Sequence, residues 1–469
     1  MTNSWKKAVS GDWNTGPNWT AGVPVYGSTA LITVPGTYTV TSSQNNALGN
    51  LEMESDATLS IASHELDITS GTGTGALAGT IAIAGSATLG LGVAATISTF
   101  NNTGTIEDSS LTIADIAING TVTLIGNGTI SLTNGQILGG GTNDTLINGD
   151  SSSGNTISGS GQIGEGALDF VNGTKGVIEI DGFMLSVNTN TFSNSGLMEA
   201  TGVGDLEFFS DVTQTATGKL QASGSGVVDL NGGSIIGGTV SIGKGADLRV
   251  DTGTSLIDAA KTIANAGTID TFGGSLLIAG AVKNASTGTL FAGFGTLGIS
   301  GTVTGGTAHI AGASALVFGG PSSADVTFDL SSAGILILDD ATKFTGTVAG
   351  MLANPTASID LENIPFADGS TVKFNSSTHL LTVTDAVTGI TDKIKISGSA
   401  GTFTATEAAD TSTLITDPGP APHTANIALL GNYMASTFAS IGNGHDNVPI
   451  TTGSQAAAHE IPLTVPHHG

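Results

Sequence analysis

A short phrase that recurs at a fixed period constrains this chain more than any other feature. It consists of Asn or Gln, a Gly two or four residues later, any residue, a large aliphatic residue and usually an acid or amide. The glycines of its six copies are Gly104, Gly176, Gly196, Gly218, Gly267 and Gly288. Close copies lie 20, 22 and 21 residues apart, and the 49-residue interval from 218 to 267 would hold two more, one near Gly238. A period of 20–22 residues, with apolar and polar residues alternating inside each copy, is typical of a solenoid of short strands.

A single copy cannot bury its own aliphatic residue, so the copies must stack. We therefore predict an all-β chain whose main body is a right-handed parallel β-helix with about 20–22 residues per coil. The aliphatic residue two positions after each repeat glycine should lie in one column of the core. The members of this column are Ile106, Ile178, Met198, Leu220, Ile269 and Leu290. The Asn that opens the phrase should stack into a ladder of side-chain amides.

Composition supports many narrow strands joined by tight turns. The 469 residues include 70 glycines, while charged residues make up 11% and aromatic residues 5%. Low charge with this many apolar residues argues against disorder. No proline occurs between Pro35 and Pro321, as continuous strand ladders require, because proline cannot donate a ladder hydrogen bond. The absence of cysteine excludes disulfides and thiolate chemistry.

All three tryptophans, Trp5, Trp13 and Trp19, fall in the first 19 residues, within a segment rich in Gly, Pro and Asn. A stacked solenoid has an exposed apolar end that must be covered to prevent end-to-end association. We interpret the tryptophans as a cap on that end. The alternative is a sugar-stacking platform, which would need exposed indole faces.

Changes in residue composition and repeat pattern divide the sequence into four parts. Residues 1–49 form the cap and first strands, 50–320 the solenoid, and 321–417 a C-terminal β-rich module. Residues 418–469 begin with a stiff Pro-Gly-Pro-Ala-Pro break and continue into a terminal strand element and a polar tail.

Two stretches carry a resemblance to known proteins. The opening block around Trp13 and Trp19, with the strands that follow and the later Asn-x-Gly-x-Ile-Glu phrases, resembles the passenger-like, adhesin-type β-helical surface proteins of Gram-negative bacteria. The module around Phe344-Thr-Gly-Thr-Val348, Ile359-Asp-Leu361 and Leu381-Thr-Val383 is similar to the C-terminal part of large alphaproteobacterial secreted proteins. The resemblance implies a secreted, β-helical surface protein and says little about a ligand.

The charge balance excludes whole classes of partner. The net charge is −26, Arg249 is the single arginine, and no Lys or Arg occurs between Lys7 and Lys175. Nucleic acids and anionic membrane surfaces both need clustered cations, so neither is an expected partner. The sequence also shows no membrane-spanning segment and no apolar N-terminal signal region. An acidic surface instead favours solubility and Ca²⁺ capture.

The position three residues after the repeat glycine is acid or amide in five of the six copies. It holds Glu107, Glu179, Glu199, Gln221 and Asp270, with Phe291 as the exception. Glu179 and Glu199 should stack about 5 Å apart if their coils are adjacent. Three interpretations stay open: a solvated outer face, a weak calcium site formed by Glu179, Glu199 and Asp181, or a carboxylate pair with the spacing of retaining glycosidases. We expect no catalytic residue and no cofactor other than Ca²⁺.

These observations predict an extracellular structural or adhesive β-solenoid of the bacterial surface or matrix. We expect it to associate with itself, as a filament or layer, or with other surface components, and polysaccharide is a further candidate partner. Export would proceed without a cleaved N-terminal signal peptide, by a type I route that reads information within residues 425–469. The alternative function is a β-helix that binds or cleaves a polysaccharide.

Overall fold

A computed structural model describes residues 1–72, 76–108, 115–180, 182–330, 332–352, 354–367, 369–398 and 401–418, with three short strands beyond them. The protein is all-β, with 58% strand and 1% helix, and it contains a parallel β-solenoid of about 15 turns of ~22 residues. The predicted fold is therefore confirmed. The described residues also contain two 3-10 helices, Gly16–Asn18 and Ala341–Lys343.

Each turn contributes to three parallel ladders, here called ladders 1, 2 and 3, and strands that bend around a corner belong to two of them. Ladder 1 contains Gly11–Asp12, Tyr38–Ser42, Ala57–Ile61, Thr80–Ile83, Thr105–Asp108, Thr129–Gly139, Thr156–Gly164, Val177–Ile180, Leu197–Ala200, Val212–Ala222, Ile235–Ile242, Ile263–Asn265, Val282–Asn284 and Val303–Thr304. Ladder 2 contains Asn46–Met53, His64–Ser70, Ala87–Asn101, Asp115–Ile125, the second halves of Thr129–Gly139 and Thr156–Gly164, Met184–Asn188, Asp205–Phe208, Val227–Asp229, Asp247–Val250, Thr268–Phe272, Thr289–Gly293, Thr307–Ala311, Asp325–Phe328 and Thr347–Ala349. Ladder 3 contains Thr2–Ser4, Thr29–Ile32, parts of the bent strands Asn46–Met53, Ala87–Asn101, Asp115–Ile125, Val212–Ala222 and Ile235–Ile242, and then Thr145–Asn148, Asp169–Asn172, Thr191–Asn194, Thr254–Asp258, Ser275–Ile278, Thr296–Ile299, Ala315–Phe318, Ile335–Leu338 and Ser358–Pro365.

The six aliphatic residues of the predicted core column are all fully buried, but they lie in two rows rather than one. Ile106, Ile178, Met198 and Leu220 belong to the inward row of ladder 1. Ile269 and Leu290 pair with each other in ladder 2, where Ile269 also pairs with Leu248. The prediction of a single column is therefore corrected.

The physical reason is that the phrase marks a corner, and the solenoid has more than one corner per coil. The copies at Gly176, Gly196 and Gly218 connect ladder 3 to ladder 1, whereas those at Gly267 and Gly288 connect ladder 1 to ladder 2. The 49-residue interval from 218 to 267 equals two coils and roughly seven residues, which is about a third of a coil.

The predicted amide ladder is confirmed. Asn148 donates its side-chain amide to Asn172, Asn172 to Asn194, and Asn194 to Gln214, each over 2.9 Å. A separate pair at the other corner joins Asn265 to Asn284 over 2.8 Å. These amides are buried, and their mutual hydrogen bonds offset the cost of removing them from water.

The glycine that follows each Asn is needed because neighbouring corners approach closely. A Cβ atom at Gly196 would lie 2.2 Å from the carbonyl oxygen of Gly176. Any side chain at this position would therefore push adjacent coils apart.

The tryptophan cluster occupies the first coil of the solenoid, whose strands Thr2–Ser4 and Gly11–Asp12 begin ladders 3 and 1. Trp19 packs edge-on against Trp5 and Trp13, with ring centroids 5.0 and 4.8 Å apart. Its indole N–H donates to the main-chain oxygen of Trp13 over 2.7 Å. All three rings are buried, so their faces are not presented to solvent as a sugar platform would need.

The parallel ladders continue past residue 320 through Asp325–Phe328, Ile335–Leu338, Thr347–Ala349 and Ser358–Pro365, so the predicted end of the solenoid at residue 320 is corrected. The antiparallel strands of the C-terminal β-rich module continue the last strands of these ladders. Ser412–Thr416 pairs antiparallel with Ser358–Pro365, the final strand of ladder 3, and with Thr404–Glu407. Thr391–Ile396 extends ladder 2 from Thr347–Ala349 and continues into an antiparallel sheet with Leu380–Thr384 and Thr371–Asn375. The module thus pairs two strand edges that would otherwise be open.

The chain divides into two compact units, Met1–Asp417 and Pro418–Gly469. In the second unit the structure describes Thr424–Ala425, Phe438–Ser440 and Ile450–Thr452, which pair antiparallel with one another. The remainder of the predicted export segment, 425–469, lies outside the described residues.

Candidate functional site

The predicted glutamate pair lies on the outer face of ladder 1. Glu179 and Glu199 are direct partners on the adjacent strands Val177–Ile180 and Leu197–Ala200. Both side chains are partly exposed, because they alternate with the buried residues of the core row. The row continues from Ser158 through the two glutamates to Gln221 and Ser241. The serine Oγ of Ser223 donates to Glu199 over 3.3 Å.

The other two predicted acids, Glu107 and Asp270, are not direct neighbours of the glutamate pair. Glu107 is in the same row of ladder 1, but its direct neighbours are Ala82 and Ser131. Asp270 is in ladder 2, between Arg249 and Phe291. The acids after the repeat glycine therefore do not form one continuous column, for the same reason that the core residues do not.

The third predicted calcium ligand, Asp181, lies outside the described residues. Within the described part of the chain, no group of three or more His, Asp or Glu side chains is arranged to hold a metal ion. Glu179 and Glu199 can together supply four oxygens, whereas Ca²⁺ takes six to eight. The pair alone could support weak ion bridging and not a closed metal site.

A groove of about 490 Å³ lies beside the glutamate pair on the same face. Lys175, Lys219 and Lys261 line it together with hydroxyl-bearing residues that include Ser195 and Thr217. Lys219 occupies the outward row that runs from Val177 through Leu197 to Thr239, two residues before the glutamate row. We call these lining residues the lysine groove.

Our sequence analysis missed Lys219 and Lys261, although a usable signal was present. The three lysines are separated by 44 and 42 residues, which is two coils in each case. Residues separated by a whole number of coils lie on the same face of a solenoid. Comparing the lysine positions with the repeat length, rather than their nearness in sequence, would have placed these three on one face.

A second groove of about 490 Å³ opens where ladder 1 turns into ladder 2. Its lining includes Gln136, Gln162 and Phe183, and no charged side chain. The amide of Gln136 donates to Gln162 over 3.3 Å, and the Phe183 ring is 88% exposed. We call it the neutral groove.

Ladder 2 carries a different charged cluster on its outer face, centred on Arg249. The guanidinium contacts Asp205 at 2.8 Å, Asp229 at 3.1 Å and Asp251 at 3.3 Å. Arg249 is a direct ladder partner of Asp229 on one side and Asp270 on the other. The cluster therefore concentrates several carboxylates around one cation, and stacking of successive coils creates it.

Burial disturbs the titration of these carboxyl groups. Desolvation raises the pKa of Asp229 to about 7, against the opposing effect of the hydrogen bond from Arg249. Desolvation, together with the charges of Asp247 and Asp251, raises the pKa of Asp270 to about 6. Among the described residues, one oxygen each of Asp205, Asp229 and Asp270 is buried without a hydrogen-bond partner. A carboxyl group that holds its proton near neutral pH is one requirement of general acid catalysis.

The remaining requirement, a concave site that positions a substrate, is not met by Asp229. Its side chain is 3% exposed and is covered by Arg249, so a polymer could not reach it directly. We interpret the Arg249 cluster as a structural element in which one cation links several carboxylates.

Comparison of this chain with protein-family models, curated proteins and solved structures found no match. Within the part of the chain that the structure describes, no helix has the length and apolar character needed to cross a membrane.

Proposed function

We propose that this chain is an extracellular structural and adhesive solenoid of the bacterial surface or matrix. The observation that supports this function best is the stack of about 15 turns, whose outward rows carry two open grooves. A stack of this kind holds its side chains in fixed rows along the axis. Multiple weak contacts along such rows add to a useful avidity.

The chemistry of the outer faces supports a binding role more than a hydrolytic one. Glu179 and Glu199 have the side-by-side arrangement of a retaining glycosidase pair, but both lie partly exposed on an open strand face. The proposal therefore contains no catalytic step.

Cell fractionation combined with negative-stain microscopy tests this function. The full chain and a variant lacking residues 425–469 would be expressed in an alphaproteobacterial host. We expect the full chain at the cell surface or in the medium, as filaments, lattices or separate solenoids, and the shortened variant in the cytoplasm. Confinement of the full chain to the cytoplasm would overturn the proposal. Secretion of the shortened variant would overturn only the export signal.

A further inference from the structure

The lysine groove brings together cations that the rest of the sequence keeps apart. The chain has 12 Lys and Arg residues against 38 Asp and Glu residues, and three of those cations line this groove. No acidic side chain is among its lining residues. An accidental cluster of charges on so acidic a surface would be expected to include carboxylates.

The ammonium groups of the groove are available to a ligand. Lys175, Lys219 and Lys261 are all exposed. Among the described residues, ion pairs are made by Arg249, His309 and Lys343, and by none of these three lysines. A ligand would therefore not have to displace an internal partner from them.

The solenoid sets the spacing of these cations. Lys219 lies two coils after the strand that begins at Val177, and Lys261 precedes the strand Ile263–Asn265 two coils later. Coils rise by about 4.8 Å each, so successive lysines belong to coils about 10 Å apart along the axis. This distance is close to the length of a disaccharide unit in an extended polysaccharide.

The neighbouring rows restrict where an anion can lie. The Glu179–Glu199 pair follows the groove by two residues on the same strands and would repel an anionic chain that shifted towards it. Within the groove, Thr217 donates its hydroxyl to the main-chain oxygen of Ser195 over 2.9 Å, and Thr174 and Thr239 add two further hydroxyl groups to the lining. The lining is therefore positive and hydroxyl-rich, with a negative border.

From this arrangement we infer that the lysine groove binds a linear acidic polysaccharide that runs along the solenoid axis. Its carboxylate or sulfate groups would meet the lysines of alternate coils. A nucleic acid fits less well, because its phosphates repeat at about 3.4 Å per strand and would leave most charges unpaired here. This inference names the polymer that an adhesive solenoid would bind, and it therefore rests on the function proposed above.

The test is direct binding by the purified full chain at low salt. The probes are polygalacturonate for carboxylate, dextran sulfate for sulfate and plain dextran as the neutral polymer. The groove variant is Lys175→Gln, Lys219→Gln and Lys261→Gln combined. The control variant combines Lys244→Gln, Lys373→Gln and Lys393→Gln, which removes the same charge from exposed positions outside the groove.

We expect wild type and control to bind at least one acidic polymer, and the groove variant to bind about tenfold more weakly or worse, with a smaller dependence on salt. Binding of one acidic polymer and not the other identifies the anion. All three proteins should have the same melting temperature, because the substituted side chains are exposed.

Several results would overturn the inference. These are no binding of either acidic polymer by wild type, equal losses in both variants, or binding of dextran that does not depend on the lysines. Loss of self-association in the groove variant, with polymer binding unchanged, would show that a second copy occupies the groove. Failure here would leave the surface function standing, since that function is judged by location and assembly in cells.

Discussion

Lys219 and Arg249 occupy outward rows of two ladders in the same solenoid, yet their surroundings are opposite. Lys219 is exposed, lies among uncharged neighbours in its row, and makes no ion pair with the described residues. Arg249 is 32% exposed and contacts three carboxylates within 3.3 Å. The difference arises from the row neighbours, since Leu197 and Thr239 flank Lys219 whereas Asp229 and Asp270 flank Arg249.

This comparison shows what a solenoid does to charge. Each outward side chain has its closest neighbours one coil away in sequence, so local sequence gives little information about its electrostatic environment. A cation whose neighbours in adjacent coils are acids forms ion pairs within the protein. A cation whose neighbours are uncharged stays available for a ligand. The first arrangement should contribute to stability and the second to binding.

The largest effect should follow from removing each cation in turn. Arg249→Met leaves Asp205, Asp229 and Asp251 together without their counter-ion, so the free energy of unfolding should fall by about 1–3 kcal/mol. Lys219→Met, with the same loss of charge, should change it by less than about 0.5 kcal/mol. Chemical denaturation of both variants at pH 7.5 measures the difference.

An internal control separates charge from packing in this test. Adding Asp229→Asn to Arg249→Met removes the most buried of the three carboxylates and should recover part of the lost stability. Equal denaturation midpoints for Arg249→Met and Lys219→Met would mean that the Arg249 cluster is not structural, and the contrast between the two faces would fail.

The sequence predicted the solenoid and its amide ladder well, because both depend on a local phrase. Asn172, Gly176 and Ile178 encode a turn, a close corner and a buried residue within seven positions, whichever corner they occupy. The same locality explains the mistake over Ile269 and Leu290, since the phrase does not state which corner it marks. Lys261 and Asp229 gain their roles from residues one or two coils away, so only the exact coil register reveals them.

A further effect concerns the response of the Arg249 face to pH. The pKa of Asp229 is raised to about 7 and that of Asp270 to about 6, so the folded state binds these protons more tightly than the unfolded state. Stability from this source is complete below about pH 4, the ordinary pKa of aspartate, and is lost as the pH rises towards 7. The wild type should therefore lose stability between pH 5 and 8 that an Asp229→Asn, Asp270→Asn variant does not lose.

Melting temperatures of the two proteins across this pH range provide the measurement. Glu179→Gln, Glu199→Gln on the outer face of ladder 1 serves as the control for a general reduction of negative charge. If the melting temperature of the control variant depends on pH as weakly as that of the aspartate variant, the effect is due to net charge and not to the buried cluster.

The smallest expected effect is calcium binding at Glu179 and Glu199. Two carboxylates in register repel each other, and a divalent cation between them relieves that repulsion, but they supply too few oxygens to hold the ion tightly. Addition of 10 mM Ca²⁺ should therefore raise the melting temperature by about 1 °C. Glu179→Gln or Glu199→Gln should each abolish the rise, whereas Glu107→Gln should not, because Glu107 lies in the same row between Ala82 and Ser131.

A melting temperature that does not respond to calcium would identify the pair as a solvated face. Release of reducing sugar from a polysaccharide that disappears in either glutamine variant would instead assign the pair to catalysis, and the face beside the lysine groove would then be an active site rather than a binding surface.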